Sequence, residues 1–259
     1  MNGYLDRLFG LHGKTAVVIG GGGVLGGRMA AALGKAGAAV VVSYRTSKES
    51  AERVVKEIVG AGGKAETVAA DTTDKGALER LVDAASERFG GVDILVNAPG
   101  VNSATPFFDI EAEEWDRVME NNLKGMFLAC QVFGALMQQR RSGSIINISS
   151  VVADIPQSKV AVYNISKAGV NSLTRFLARE LAPDNVRVNA LQPGIFPAEQ
   201  NRALLTEERK RAILAHTPMN RFGEPDELAG AAVWLASDAS SFVTGAFITV
   251  DGGFSAMRI

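Results

Sequence analysis

Tyr163-Asn164-Ile165-Ser166-Lys167 sets a phenol and an ammonium four residues apart, a spacing that puts both on one face of a helix and within reach of each other. A free tyrosine titrates near about 10, and a neighbouring positive charge favours its phenolate, which brings it toward the range useful for moving protons at neutral pH. Lys167 is placed to supply that charge. Alone, the spacing is a common surface pair, so the chemistry needs a second motif. The run Gly20-Gly21-Gly22-Gly23-Val24-Leu25-Gly26-Gly27 supplies one. It follows the β-branched stretch Thr15 to Ile19 and leads into residues with helical spacing. A glycine-rich strand-to-helix turn lets backbone N–H groups and the helix dipole approach a pyrophosphate. Dinucleotide binding through Gly20, Gly22, Gly23, Leu25 and Gly26 is the functional reading; a plain chain reversal is the bland one.

The next apolar run ends in Ser43-Tyr44-Arg45-Thr46-Ser47-Lys48, where a dinucleotide site selective for NAD carries an acid for the adenosine ribose. No carboxylate is present. Arg45, with the hydroxyls of Tyr44, Thr46 and Ser47 around it, suits a ribose 2′-phosphate, because a guanidinium offers bidentate charge-assisted hydrogen bonds. The expectation is NADP(H) in preference to NAD(H). The competing reading leaves Arg45 and Lys48 on the solvated face of the following helix.

Elements that could position these groups alternate along the chain. Short β-branched runs (15–19, 39–42, 65–69, 94–97, 144–148, 186–191, 247–250) are separated by stretches with helical spacing (26–36, 48–59, 78–89, 115–137, 160–181). Apolar runs without polar alternation mark strands covered on both faces. The expected architecture is a doubly wound α/β fold with a parallel sheet of about seven strands and helices on both faces. One domain over residues 1–259 is expected, with a small substrate-covering loop and helix region near 195–220. Ligand chemistry in such sheets lies beyond the carboxyl ends of the strands.

Composition excludes several other classes. The 259 residues are 47% hydrophobic and 21% charged with a formal net charge of -1, which supports a sizeable core and gives no electrostatic footprint for nucleic acid or an anionic membrane. A small-molecule substrate is the expected partner. The single cysteine, Cys130, and the two histidines, His12 and His216, are too few for a disulfide framework or a histidine-based metal site, so no metal is expected. No basic leader precedes an apolar segment and no apolar stretch reaches membrane-spanning length, so a cytoplasmic protein is expected.

Taken together, the glycine turn, Asn97-Ala98-Pro99-Gly100, Asn122, Ser150, Tyr163-x-x-x-Lys167 and Pro193-Gly194 resemble the short-chain dehydrogenase/reductase family in order and spacing over essentially the whole chain. The resemblance implies a Rossmann-type fold and hydride exchange with a nicotinamide cofactor. It implies Tyr163 as proton donor or acceptor, and Lys167 as the residue that holds the nicotinamide ribose and lowers the phenol pKa. It further implies Ser150 as the hydroxyl on the reacting oxygen, Asn122 as holder of a relay water, and Asp71 as a contact to adenine. Thr72, Asn97, Ala98, Gly100, Pro193, Gly194 and Phe196 complete the implied cofactor contacts. Ser149 and the helix-capping Asp74 are structural in this reading.

The sequence departs from the family pattern at Ile19 (usually threonine), Val24 (usually glycine), Pro99 (usually alanine) and Ala198 (usually a threonine for the carboxamide). Its 22–26, 195–202, 216–219 and 251–256 segments resemble a subgroup associated with sugar-acid oxidoreductases such as mannonate and gluconate dehydrogenases. Arg202, near Glu199, Gln200 and Asn201, is a candidate partner for a substrate carboxylate. The leading expectation is an oxidoreductase using NADP(H) on the carbonyl or secondary alcohol of a sugar acid or polyol. The alternatives are a 3-oxoacyl-[acyl-carrier-protein] reductase and a non-catalytic dinucleotide sensor. A homotetramer, paired through the 115–137 and 160–181 helices, is what the resemblance implies.

Overall fold

The β-branched runs become the strands of one all-parallel sheet. In chain order they are β1 (Thr15–Ile19), β2 (Ala39–Tyr44), β3 (Lys64–Ala69), β4 (Ile94–Asn97), β5 (Gly143–Ile148), β6 (Val186–Pro193) and β7 (Phe247–Val250), arranged β3-β2-β1-β4-β5-β6-β7. The computed structural model describes residues 3–197 and 206–257; Ala198, Glu199, Gln200, Asn201 and Arg202 lie outside the described residues. The chain winds outward from β1 through β2 to β3, then returns to β4 beside β1 and winds the other way. That reversal opens a crevice beyond the carboxyl ends of β1 and β4.

Successive side chains on a strand point to opposite faces, so each central strand feeds two cores. Ala16 and Val18 of β1 pack in a layer with Met29 and Leu33 of α2 (Val24–Lys35), Ile58 of α3 (Lys48–Gly60) and Leu235 of α9 (Ala229–Ala236). Val17 and Ile19 face Leu78 and Leu81 of α4 (Lys75–Phe89), Phe133 of α6 (Gly125–Arg140) and Leu181 of α7 (Ala161–Leu181). Each such fully buried side chain is worth about 1.5–3 kcal/mol against exposure. Two covered faces explain why the central strands read as unbroken apolar runs. The edge strands β3 and β7 carry half-buried and exposed positions instead.

The single helix expected over 115–137 is divided. α5 (Ala112–Met119) leads into a π-turn, Glu120–Lys124, before α6 begins. The Gly125 N–H reaches back to Glu120 O, five residues away, which is the wider hydrogen-bond ring of a π-turn. Apolar spacing runs through it unbroken, so the sequence carries no sign of the insertion. Its effect is to bury Asn122 completely. α1 (Gly3–Phe9), α8 (Glu207–Ala215) and α9 also lie outside the alternation read from the sequence, α8 within the expected cover region.

Candidate active site

The turn after β1 is shaped by what cannot fit there. Gly20 takes φ +72, and a Cβ on it would stand 2.5 Å from Ala98 O, so a side chain is excluded by conformation and by space. A Cβ on Gly26 would strike Gly20 O, and one on Gly22 would strike Ser47. α2 begins at once, with no side-chain cap at Gly23 and no acid in its first turn. Uncapped N–H groups beside a cradle without side chains fit a pyrophosphate. Val24, where the family carries glycine, is tolerated because its side chain turns outward, 41% exposed.

This turn lines one wall of a cavity of about 580 Å³. Of the sequence-predicted residues, Gly20, Gly22, Gly23, Leu25 and Gly26 line it, as do Tyr44, Arg45, Thr46, Ser47, Thr72, Ala98 and Gly100. Ser150, Tyr163, Lys167, Pro193, Gly194 and Phe196 line it as well. Three predicted residues do not. Asp71 is turned onto its own loop, accepting the Thr73 N–H at 2.9 Å and the Thr73 hydroxyl at 2.8 Å, and these bonds lower its carboxyl pKa. Asn97 points beneath α6, donating to Met126 O at 3.1 Å and Asn147 Oδ1 at 3.3 Å, so it ties β4 to β5 and α6. Asn122 sits one layer behind the wall. Its Oδ1 accepts the Val101 N–H at 2.7 Å, and its Nδ2 donates to Val101 O at 2.9 Å and Ser166 Oγ at 3.2 Å. Its side-chain amide clamps the loop after β4 and ties it to α7.

α7 carries Tyr163 and Lys167 one turn apart, with the Lys167 Nζ 5.7 Å from the Tyr163 ring centroid. The segment holding Ser150 is fastened to α7 by Asn164 Nδ2 donating to Val152 O, and to β6 by Gln192 Nε2 donating to Asp154 Oδ2 at 2.7 Å. Ser150 Oγ accepts the Val152 N–H at 3.4 Å and hydrogen-bonds with the Tyr163 phenol. Ser149 Oγ donates to Asn171 Oδ1 at 2.7 Å.

The electrostatics correct one expectation. Burial pushes the Tyr163 phenol above its ordinary value, and the Ser150 hydrogen bond opposes that rise. Lys167, 3% exposed, donates to Ile148 O at 2.8 Å, and burial drives its ammonium down to about 7. Desolvation disfavours the charged form of both groups, so in the protein alone the net effect on the phenol is a rise. Among the described residues no carboxylate lines the cavity to hold the ammonium.

At the other end Arg45 is exposed, and its Nη1 donates to Asn121 Oδ1 at 2.8 Å across the mouth of the cavity. Lys48 instead lies 3.9 Å from Glu52 on α3. Asn121, Gln157 and Arg209 also line the cavity. The sequence reading passed over the last two, although Arg209 and Ile213, four apart and both lining it, form one face of α8.

Comparison with known proteins agrees with this geometry. The family model described as enoyl-(acyl carrier protein) reductase matches residues 23–255. The uncharacterized oxidoreductase UxuB of Bacillus subtilis strain 168 is 41% identical, covering 95% of this chain and 96% of that protein. The 3beta-hydroxysteroid dehydrogenase 1 of Eggerthella lenta is 42% identical over 95% of each chain. A crystal structure of a gluconate 5-dehydrogenase from Burkholderia cenocepacia, in complex with NADP and tartrate, superposes with TM-score 0.93 at 34% identity over 98% of this chain and 100% of that one. The chain belongs to the short-chain dehydrogenase/reductase family, and it is an oxidoreductase enzyme.

Proposed function

We propose that this enzyme interconverts a secondary alcohol and a ketone on a sugar acid or polyol, using NADP(H) in preference to NAD(H). The observation that carries the reading is that Ser150, Tyr163 and Lys167 line the same cavity as the uncapped glycine turn. A nicotinamide dinucleotide bound there would supply or take up the hydride, and Gly20, Gly22, Gly26, Thr72 and Pro193 would hold it. Ser150 orients the reacting oxygen by hydrogen bonding, and Tyr163 Oη takes the proton from the alcohol as the C=O bond forms, or returns it in the reverse direction. Lys167 gains its charge when an anionic group enters beside it, and its ammonium then favours the phenolate. Arg45 serves as the reader of a 2′-phosphate.

The sugar-acid class is supported by likeness to the gluconate 5-dehydrogenase, crystallised with NADP and tartrate. The description of the matching family model favours acyl-carrier substrates as the second reading. A homotetramer belongs to the proposal, supported by Trp115, Phe127, Ile165 and Phe176, which expose 40–60% of their surface along α5, α6 and α7. The test is a panel of aldonates, alditols and 3-oxoacyl thioesters, each run with both cofactors while nicotinamide absorbance is followed. Turnover of aldonates or alditols with NADP⁺ supports the proposal. Turnover confined to the thioesters overturns it.

A further inference from the structure

The cavity holds one more group that the hydride-transfer machinery does not use. Among its described lining residues the charged side chains are Arg45, Lys167 and Arg209, and none is acidic. Arg45 is engaged by Asn121 near the glycine turn, and Lys167 is committed to Ile148 O. The Arg209 guanidinium, on a half-buried residue, has no hydrogen-bond or ion-pair partner among the described residues. Neither preceding acid pairs with it: Glu207 is taken by Lys210 at 2.7 Å, and Glu208 is exposed. Across the same cavity the Gln157 Nε2 is buried with no hydrogen-bond partner. A buried amide N–H left unpaired is costly and asks for an acceptor. Gln157 stands between Ser150 and Tyr163 in sequence, in the segment braced by the Asp154–Gln192 bond. Apolar walls from Val152, Val160 and Ile213 complete this end.

From this juxtaposition we infer that Arg209 and Gln157 form a carboxylate-binding subsite that anchors the acid end of the substrate while its hydroxyl lies at Ser150 and Tyr163. The inference rests on the sugar-acid reading and sharpens it. A planar guanidinium offers two parallel N–H donors to a carboxylate, and the Gln157 amide adds a neutral donor that costs nothing to leave uncharged. A neutral polyol satisfies Gln157 but leaves the guanidinium unpaired, so the subsite selects acids over alditols of the same length.

The decisive measurement is the ratio of kcat/KM for D-gluconate to that for D-glucitol, taken with NADP⁺ for wild type, Arg209→Ala, Arg209→Lys and Gln157→Leu. Circular dichroism and a thermal melt establish that each variant is folded. The expected result is a ratio that falls about 10²-fold in Arg209→Ala, mainly through the KM for gluconate, with an intermediate fall in Arg209→Lys because the charge stays and the fork is lost. Gln157→Leu should lower kcat/KM for both substrates by about 3–10-fold and leave the ratio nearly unchanged. A ratio unchanged in Arg209→Ala, with gluconate still oxidised, overturns the subsite and leaves the sugar-acid reading standing. If no aldonate is oxidised but another hydroxy or keto carboxylate is, in an Arg209-dependent manner, the subsite stands and the sugar-acid reading falls. An effect of Arg209→Ala confined to acyl thioesters overturns both.

Discussion

Lys167 and Arg45 line the same cavity, and what separates them is water. Lys167 is almost wholly buried and its ammonium is driven to about 7, so its charge depends on what binds beside it. Arg45 is exposed and spends one nitrogen on Asn121. Burial converts a cation into a tunable group, and exposure leaves a cation that can only recognise a fixed charge. In the proposed reaction one end of the cavity handles the proton and the other reads a charge.

The proton-handling end can be broken outright at Tyr163. Tyr163→Phe removes only the hydroxyl from a ring held by α7, so kcat should fall about 10²–10⁴-fold while NADPH fluorescence still reports binding. Because the phenol is raised, the wild-type oxidation rate should climb with pH through the neutral range, where phenolate is scarce. Reduction should stay level until the phenol begins to ionise. Turnover within tenfold of wild type in the Phe variant would place the proton transfer elsewhere.

The charge-reading end should yield less. Removing an exposed guanidinium from a phosphate costs about 1.5–3 kcal/mol, so Arg45→Ala should weaken NADPH by about 10–10²-fold and change NADH much less. Titrations of both cofactors at two ionic strengths check this, since salt should shrink the wild-type preference. Equal loss for both cofactors would mean that Arg45 shapes the cavity mouth without reading the phosphate.

Burial itself is tested by stability. A free lysine titrates near about 10.4 and Lys167 in the fold near about 7. Below about 7 both states carry the proton and the full cost of burying it stands. Between about 7 and 10.4 the unfolded chain holds a proton that the fold lacks, so stability rises with pH across that window. Without cofactor, Lys167→Met should therefore melt several °C above wild type at pH 6, and the gain should vanish toward pH 10. A gain that does not vary with pH would mean that packing, and not charge, is responsible.

These two ends were unequally legible in the sequence. The glycine turn and the Tyr163–Lys167 pair were visible because their geometry is local: a strand running into a helix, and one helical turn. The covered strands were visible because burial on both faces leaves no polar alternation. Asp71 follows β3 and Asn97 ends β4, at the carboxyl ends of the strands where the sequence put them, but the direction of a side chain depends on what is packed around it. Asp71 turned to Thr73, and Asn97 turned under α6. The π-turn that buries Asn122 leaves the apolar period intact, and Gln157 and Arg209 line one cavity from elements far apart in sequence. The sign of the Tyr163 shift was missed because spacing reports proximity and says nothing of desolvation.

The smallest expected effect asks whether the exposed cation is also pre-ordered. An arginine side chain carries about 2 kcal/mol of rotamer entropy, and the bond from Arg45 Nη1 to Asn121 Oδ1 restrains it before any ligand arrives. One nitrogen is occupied and the remaining donors stay available, so Asn121 acts as a brace if the phosphate takes the other edge of the fork. Asn121→Ala should then weaken NADPH by about 2–5-fold, consistent with one exposed, solvent-screened hydrogen bond, without changing NADH. Added to Arg45→Ala it should cost nothing further, because the two residues act as one unit. Tighter NADPH binding in Asn121→Ala would reverse the assignment: the amide would be a competitor that the 2′-phosphate must displace, and the charge-reading end would be a latch that opens on binding.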